Sequence, residues 1–257
     1  MLEMLHIDKT YNPGTVREKV LFQDFSLSIG TGEFVSIVGS NGSGKTSLLN
    51  LLCGSIPADR GQVVMDGQDI TRQKEHIRSR LIGRVYQNPA MGTCASMTIL
   101  ENLSLAEHKG KPSSLRRGTD KKRIPYYREL LRPLNLGLED MLEARVGSLS
   151  GGQRQALALL MSTMTPISFL ILDEHTAALD PKTADIIMQL TDQIVREKSL
   201  TALMVTHNLR YAVEYGSRII LMHQGGIVLD KKDEMKDNTR IDDLLKIFNE
   251  ISIECGN

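Results

Sequence analysis

The sequence predicts an α/β fold built on a mostly parallel sheet. Short apolar strands alternate with helical segments in both halves of the chain, which is typical of a parallel sheet covered by helices on both faces. A glycine-rich run, Gly39–Thr46, lies between a predicted strand and a predicted helix. From about 88 to 165 helical patterns dominate, which predicts a helical subdomain inserted into the α/β core.

The first two strands, Leu2–Ile7 and Val20–Ile29, flank a Pro13-Gly14 turn and predict an N-terminal antiparallel β subdomain. Apolar runs predict further strands at Glu33–Val38, Gly61–Asp66, Leu81–Tyr86, Phe169–Leu172, Thr201–Val205 and Arg218–Met222. Helical periodicity predicts helices at Thr46–Leu52, Gln153–Met164, Pro181–Lys198, Leu209–Tyr215 and Ile241–Ile251. We therefore predict one domain over 1–257, with a core of 1–87 and 166–257 and a helical subdomain at about 88–165.

The last predicted helix has an apolar face, for which core packing is a better explanation than partner binding. The residues on this face are Ile241, Leu244, Leu245, Phe248 and Ile251.

Composition limits the class of protein. The chain has 257 residues, enough to bury a sizeable core, with 31 Lys+Arg against 31 Asp+Glu, so charge indicates neither nucleic acid nor membrane as a partner. Its three widely spaced cysteines fit free thiols in a reducing compartment. No stretch approaches the roughly 18 apolar residues of a membrane span, and the start lacks a signal-peptide pattern, so we expect a cytoplasmic chain.

The glycine-rich run matches the Walker A phosphate loop in the strand–loop–helix context that this motif requires. Successive backbone N–H groups and the following helix N-terminus bind phosphate in such loops. Lys45 is expected to reach the β- and γ-phosphates and the Thr46 hydroxyl to ligate Mg²⁺. ATP or GTP binding is predicted for Gly39, Ser40, Asn41, Gly42, Ser43, Gly44, Lys45, Thr46 and Ser47.

A second candidate lies where strand Phe169–Leu172 ends in Asp173-Glu174. Residues at the carboxyl ends of parallel strands face ligands. We expect Asp173 to hold Mg²⁺ through water and Glu174 to act as the general base for the attacking water. An ordinary acidic helix cap is the alternative.

Ser150-Gly151-Gly152-Gln153, hereafter the signature, precedes the helix Gln153–Met164. Serine followed by glycines at a helix start is either an anion site or simply a good cap. The order of phosphate loop, signature and Asp173-Glu174 resembles the ATP-binding-cassette (ABC) ATPases over nearly the whole chain.

That resemblance implies roles that the residues alone do not establish. Gln87 would contact the metal and attacking water, and His207 the γ-phosphate. Tyr11 would stack on adenine, with core packing as the alternative. The signature would meet the γ-phosphate held by a second copy or a similar ATPase chain, in a head-to-tail dimer with Asp180 near the interface. His175 replaces the proline that many members have, and we expect no catalytic role for it.

The sequence is compatible with three functions. The resemblance favours the peripheral ATPase subunit of a membrane transporter, on the cytoplasmic side, with separate permease subunits and an extracytoplasmic binding protein. Short segments around 12–15, 87–93 and 173–181 are similar to ATPases of tryptophan/tyrosine importers, of the amino-acid type. A soluble ABC ATPase acting on ribosomes or DNA is the alternative. A kinase is the third function, but it would leave the presence of the signature unexplained.

The basic stretch 109–123 is either a solvated loop or a contact with the membrane partner.

Overall fold

A computed structural model describes the backbone of residues 1–111 and 118–254 and the side chains of all of these except 251–254. The strands, in chain order, are β1 (Leu2–Tyr11), β2 (Lys19–Ile29), β3 (Phe34–Gly39), β4 (Arg60–Met65), β5 (Gln68–Asp69), β6 (Ile82–Val85), β7 (Phe169–Asp173), β8 (Thr201–Val205), β9 (Arg218–His223) and β10 (Gly226–Lys232). The helices are α1 (Lys45–Cys53), α2 (Glu75–Arg78), α3 (Ile99–Glu107), α4 (Ile124–Leu131), α5 (Gly151–Thr163), α6 (Pro181–Glu197), α7 (Leu209–Glu214), α8 (Asp233–Asp237) and α9 (Ile241–Glu254).

The chain divides into two compact units, Met1–Arg78 with Ser199–Asn257, and Ser79–Lys198. The first unit holds an antiparallel sheet in the order β2-β1-β4-β5. It also holds β3, which pairs in parallel with both β8 and β9, while β10 joins β9 antiparallel. The predicted α/β class, with an antiparallel N-terminal part and mostly parallel core pairing, is confirmed.

In the second unit, β6 and β7 pair in parallel, with Val85 opposite Leu172. Helix α5 packs against α3, α6 and β6. The predicted boundaries at 88 and 165 for a helical subdomain stay a prediction. The basic stretch 109–123 is described only in part, since Arg116 and Arg117 lie outside the described residues.

The buried face of the terminal helix matches the predicted face only in part. Leu244 is fully buried in a cluster with Val38, Ile219 and Leu221, and Ile247 and Phe248 pack against that cluster. Core packing is thus confirmed for Leu244 and Phe248. It is wrong for Ile241 and Leu245, which are 37% and 44% exposed, because the buried face follows the i, i+3, i+4 spacing from Leu244. The side chain of Ile251 lies outside the described residues.

A buried arginine closes the C-terminal end of α1, the helix that follows the phosphate loop. Arg78 is 3% exposed, and its guanidinium donates to the carbonyls of Leu51 (2.7 Å), Leu52 (2.9 Å), Thr71 (2.7 Å) and Gln73 (3.1 Å). Burial lowers the pKa of Arg78, but an arginine stays protonated at neutral pH. Its charge and donors therefore satisfy carbonyls that a helix end leaves unpaired and complement the helix dipole.

We predict that Arg78→Met destabilises the chain by roughly 2–4 kcal/mol, because buried carbonyls lose their donors. The measurement is the urea unfolding midpoint. The control is Arg72→Met, which removes the same charge from an exposed position nearby. Equal decreases of the unfolding midpoint in both variants would show that the buried hydrogen bonds of Arg78 add no stability beyond the effect of its charge.

In the second unit, His175 is a buried neutral histidine. It is 2% exposed, and its Nε2 lies 3.1 Å from the Thr191 hydroxyl, which itself donates to the carbonyl of Ile187 at 2.7 Å. Because that hydroxyl has a single hydrogen, Nε2–H of His175 must be the donor to it. Burial lowers the pKa of His175 from 6.5 to about 4.

His175 consequently makes stability depend on pH. Above pH 6.5 the ring is neutral in both the folded and the unfolded chain. As the pH falls from 6.5 towards 4, the unfolded chain binds a proton that the folded chain does not, so the free energy of unfolding decreases.

We predict that this loss amounts to up to about 3 kcal/mol and that His175→Gln removes it, since glutamine can still donate to Thr191 without titrating. Chemical denaturation at a series of pH values from 7 to 4 tests this. His76→Gln, at an exposed histidine, is the control and is expected to keep the native pH profile. A His175→Gln profile parallel to the native one would refute the assignment.

Candidate functional site

In the first unit, the phosphate loop joins the end of β3 to the start of α1. Gly44 is the N-cap of α1 with φ 105°, and Gly42 has φ 79°, both in the region that favours glycine. At Gly39, a Cβ atom would lie 2.3 Å from the carbonyl oxygen of Met222. The loop therefore requires glycine for its backbone shape at two positions and for close packing at a third.

The turn between β9 and β10 supports the loop from behind. The Gly225 N–H donates to the Ser43 carbonyl at 3.0 Å. Gly225 has φ 79°, and a Cβ there would lie 1.7 Å from the Leu21 carbonyl oxygen. Strand β10 was not predicted, so sequence reasoning missed this support.

The polar groups of the loop fit a bound phosphate. Lys45 is buried, and its Nζ donates to the carbonyls of Gly39 (2.7 Å) and Ser40 (3.0 Å), which holds the ammonium over the loop. The Ser43 hydroxyl is also buried and has no hydrogen-bond partner among the described residues. Such a buried orphan donor is costly unless a ligand satisfies it. Thr46, at the next position of α1, is exposed.

Tyr11 is tied directly to this helix. Its hydroxyl lies 3.0 Å from the Ser47 hydroxyl, and the ammonium of Lys9 lies 5.8 Å from the centre of its ring. Lys9 is in turn fixed by an ion pair with Asp59 at 2.8 Å. The predicted adenine platform and the predicted phosphate site are thus joined by one side-chain hydrogen bond.

His207 is exposed just beyond β8. Because β8 pairs in parallel with β3, with Val205 opposite Ile37, His207 and the phosphate loop follow the carboxyl ends of neighbouring strands. Asn208 then caps α7, its side chain accepting from the Arg210 N–H at 3.0 Å. Within the first unit, the structure therefore brings His207, the predicted γ-phosphate contact, to the same sheet edge as the loop.

In the second unit, Gln87 and the pair Asp173-Glu174 follow the carboxyl ends of β6 and β7, which are neighbouring parallel strands. Gln87 is exposed, and Asp173 and Glu174 are half-buried. Glu174 has φ 47°, an uncommon conformation for a residue with a side chain. Strained backbone of this kind is concentrated at functional sites.

The carboxylate of Asp173 has a partner that the sequence did not reveal. The guanidinium of Arg84, in β6, donates to Asp173 Oδ2 at 2.7 Å. The same guanidinium lies 4.7 Å from the centre of the Tyr86 ring. Arg84 and Asp173 are distant in sequence, and only the parallel pairing of β6 and β7 brings them together.

The signature forms the start of α5, and the predicted N-cap is confirmed. The Ser150 hydroxyl accepts from the Gln153 N–H at 3.2 Å, and Gln153 Oε1 accepts from the Ser150 N–H at 3.1 Å, which is a capping box. The Ser150 hydroxyl keeps its own hydrogen to donate. Gln153 also donates to the Leu136 carbonyl at 3.1 Å, so its side chain is committed to local structure.

Two further features fix this region. A Cβ at Gly152 would lie 2.4 Å from the Thr183 methyl group, so glycine is required there by packing against α6. Asp180 is the N-cap of α6 and accepts from the Thr183 N–H at 3.1 Å. Hydrogen bonds from Thr183 lower the pKa of Asp180, which keeps this carboxylate ionised.

Helix α5 is also hydrogen-bonded to the segment that carries Gln87. Gln155, which is 1% exposed, donates to the Tyr86 carbonyl at 3.1 Å, and Arg154 donates to the Thr93 hydroxyl at 2.9 Å. Sequence reasoning missed both residues, since neither belongs to a motif with a recognised ligand.

Comparison with known proteins agrees with this geometry. A sequence profile described as "ABC transporter" matches residues 22–177. The chain is 46% identical, over 96% of its length and 98% of the relative's, to a "Tyrosine transport ATP-binding protein" of Clostridioides difficile (strain R20291).

Solved structures lead to the same result. The ADP conformation of an ATP-binding cassette of an ABC transporter matches with a TM-score of 0.80 and 25% identity, over 100% of this chain and 99% of that one. A dimeric cassette in a post-hydrolysis state, bound to ADP and Pi, matches with a TM-score of 0.76 and 30% identity, over 90% and 98% of the two chains. The chain therefore belongs to the ABC transporter family, as an ATP-binding and ATP-hydrolysing chain.

Proposed function

We propose that the chain is the ATPase subunit of a bacterial importer for tyrosine or a related small amino acid. The observation that carries this proposal is the exposed, capped start of α5, where Ser150 retains a hydroxyl hydrogen to donate, in a chain that also has a complete phosphate loop. The 46% identical relative, which is named for tyrosine transport, supports the transport role and the cargo, and it is matched over nearly its whole length. No relative reported above favours the ribosomal or DNA-directed alternative.

In the first unit, the phosphate loop binds the triphosphate. Backbone N–H groups of the loop and the start of α1 donate to phosphate oxygens, and Lys45 neutralises the charge that develops on the γ-phosphate. Ser43 and Ser47 supply further hydroxyl donors. Tyr11 stacks on the base, and His207 contacts the γ-phosphate.

The residues present fit Mg²⁺ as a cofactor. Among the described residues there is no cluster of three or more His, Cys, Asp or Glu able to hold a metal. Mg²⁺ is commonly bound by one or two protein oxygen ligands plus substrate phosphates, and Thr46 and Asp173 offer ligands of that type. When bound, the ion would neutralise phosphate charge during transfer to water.

In the second unit, Glu174 acts as general base and takes the proton of the attacking water. Gln87 orients that water and would contact the metal when it is bound. The left-handed backbone conformation of Glu174 supports this assignment, because strained backbone is concentrated at functional sites.

We further propose a head-to-tail dimer with two ATP molecules in its interface. The signature of one copy, through Ser150, Gly151 and Gly152, donates to the γ-phosphate bound by the partner's loop, and Asp180 lies near the interface. Hydrolysis then weakens the dimer, and this opening and closing drives transport. The hydrogen bonds from α5 to the Gln87 segment provide a route by which the signature and Gln87 move together.

Membrane permease subunits and an extracytoplasmic binding protein complete the proposed system. In the part of the chain that the structure describes, no helix is both long and apolar enough to span a bilayer. As the ATPase subunit of such a system, the chain would act as a peripheral subunit on the cytoplasmic face of the membrane, and we expect no nucleic acid partner. The described lysines of the basic stretch remain candidates for contact with the permease.

We predict that Lys45→Ala abolishes nucleotide binding, with a loss of affinity of about a hundredfold or more, because a charge-assisted contact to phosphate disappears from a buried position. Fluorescence titration with labelled ATP measures the affinity. Lys246→Ala removes the same charge from an exposed position on α9 and is expected to bind ATP normally. Comparable affinities for the two variants would contradict the role of Lys45.

We predict that Glu174→Gln slows hydrolysis by about 10²–10⁴-fold, since it removes the general base, and traps an ATP-bound dimer. Size-exclusion chromatography with Mg-ATP is the measurement. Glu129→Gln makes the same charge change at an exposed position and is expected to behave as the native chain does. A Glu174→Gln chain that remains monomeric with ATP would count against the proposed ATP-dependent dimer.

A further inference from the structure

The ion pair between Arg84 and Asp173 has consequences beyond packing, because Asp173 is the carboxylate predicted to hold Mg²⁺. Asp173 is the one acidic residue that ends β7, and its Oδ2 accepts from the Arg84 guanidinium at 2.7 Å. The two side chains are 11% and 15% exposed, so water screens the pair only in part.

The guanidinium is held in place from a second side. The Tyr86 ring lies 4.7 Å from the guanidinium carbon, a cation–π contact that restricts Arg84 to the orientation facing Asp173. Tyr86 is itself anchored, since its carbonyl accepts from the buried Gln155 at 3.1 Å. Arg84 is therefore a fixed positive charge beside Asp173.

A fixed positive charge at this distance changes what the carboxylate offers to a cation. An arginine is always protonated, so Asp173 and Arg84 together carry no net charge. A divalent cation near Asp173 is attracted by the carboxylate and repelled by the guanidinium, and both effects are strengthened by partial burial. An unpaired carboxylate would bind the same cation more tightly.

We propose that Arg84 is a charge-balancing residue that lowers the affinity of Asp173 for a divalent cation and so eases release of the metal with the spent nucleotide. The inference rests on the proposed function, in which Asp173 serves the metal. An arginine retained only for stability would affect unfolding and leave the metal dependence unchanged.

A matched control exists in the same unit. Arg123 is ion-paired to Glu107, and its guanidinium lies 4.0 Å from the centre of the Tyr126 ring. It thus repeats the arginine–carboxylate–tyrosine arrangement with residues that are not among the predicted nucleotide or metal ligands. Arg123→Met removes the same charge and the same kinds of contact.

The experiment measures the affinity of the full chain for fluorescently labelled ADP, first in EDTA and then over a series of MgCl₂ concentrations. In Arg84→Met, the half-saturating Mg²⁺ concentration is expected to fall by about three- to tenfold. Arg84→Gln removes the charge but keeps a donor to Asp173, and its half-saturating Mg²⁺ concentration is expected to fall as well. If Arg84→Met does not fold, Arg84→Gln alone tests the inference. Arg123→Met is expected to match the native chain.

Other outcomes have distinct meanings. Folded Arg84 variants with a native or raised half-saturating Mg²⁺ concentration would overturn the inference alone. If the native chain binds ADP with no response to Mg²⁺, the proposed metal site at Asp173 fails, and the inference fails with it. Thermal unfolding of each variant, with and without ADP, separates lost folding from altered metal affinity.

Discussion

The parallel pairing of β3 with its neighbours is the constraint on which the first unit depends. Because β8 and β9 run in the same direction as β3, the phosphate loop and His207 emerge at one edge of the sheet. The pairing also presses Gly39 against the Met222 carbonyl, so the start of the loop is packed onto the neighbouring strand, while Ser40, Asn41 and Gly42 are exposed. The buried Lys45 ammonium and the Arg78 guanidinium then fix the two ends of α1.

The second unit also uses parallel strand pairing to place its candidate groups, which differ chemically from those of the first unit. Parallel pairing of β6 and β7 places Gln87 and the Asp173-Glu174 pair at adjacent strand ends. Hydrogen bonds from Gln155 and Arg154 connect that edge to α5, whose first turn is the signature. Each unit thus carries one set of candidate groups on rigid elements, which is how folds position functional side chains with precision.

The elements that carry the predicted motifs could be predicted from the sequence because their signals are local. Apolar runs identified β3, β7 and β8, and serine before two glycines identified the cap of α5. Strand β10 escaped because its half-exposed, partly charged sequence lacks a clear alternating pattern. Arg78, Arg84 and Gln155 escaped for another reason: each binds a group distant in sequence, and only the tertiary structure supplies the partner. The face of α9 was misjudged because apolar residues at Ile241 and Leu245 resemble a continuation of the buried stripe.

Gly152 has a consequence for how genetic variation in this chain should be interpreted. A Cβ atom at this position would lie 2.4 Å from the Thr183 methyl group, so any side chain would disturb the packing of α5 against α6. A loss-of-function allele at Gly152 therefore reports first on the folding of a single copy, whatever it does between copies. Ser150, exposed and tied only to the first turn of its own helix, is the position where the two effects separate. If the proposed head-to-tail dimer forms, alleles at Ser150 distinguish a chain that cannot fold from one that folds and fails to engage the second copy.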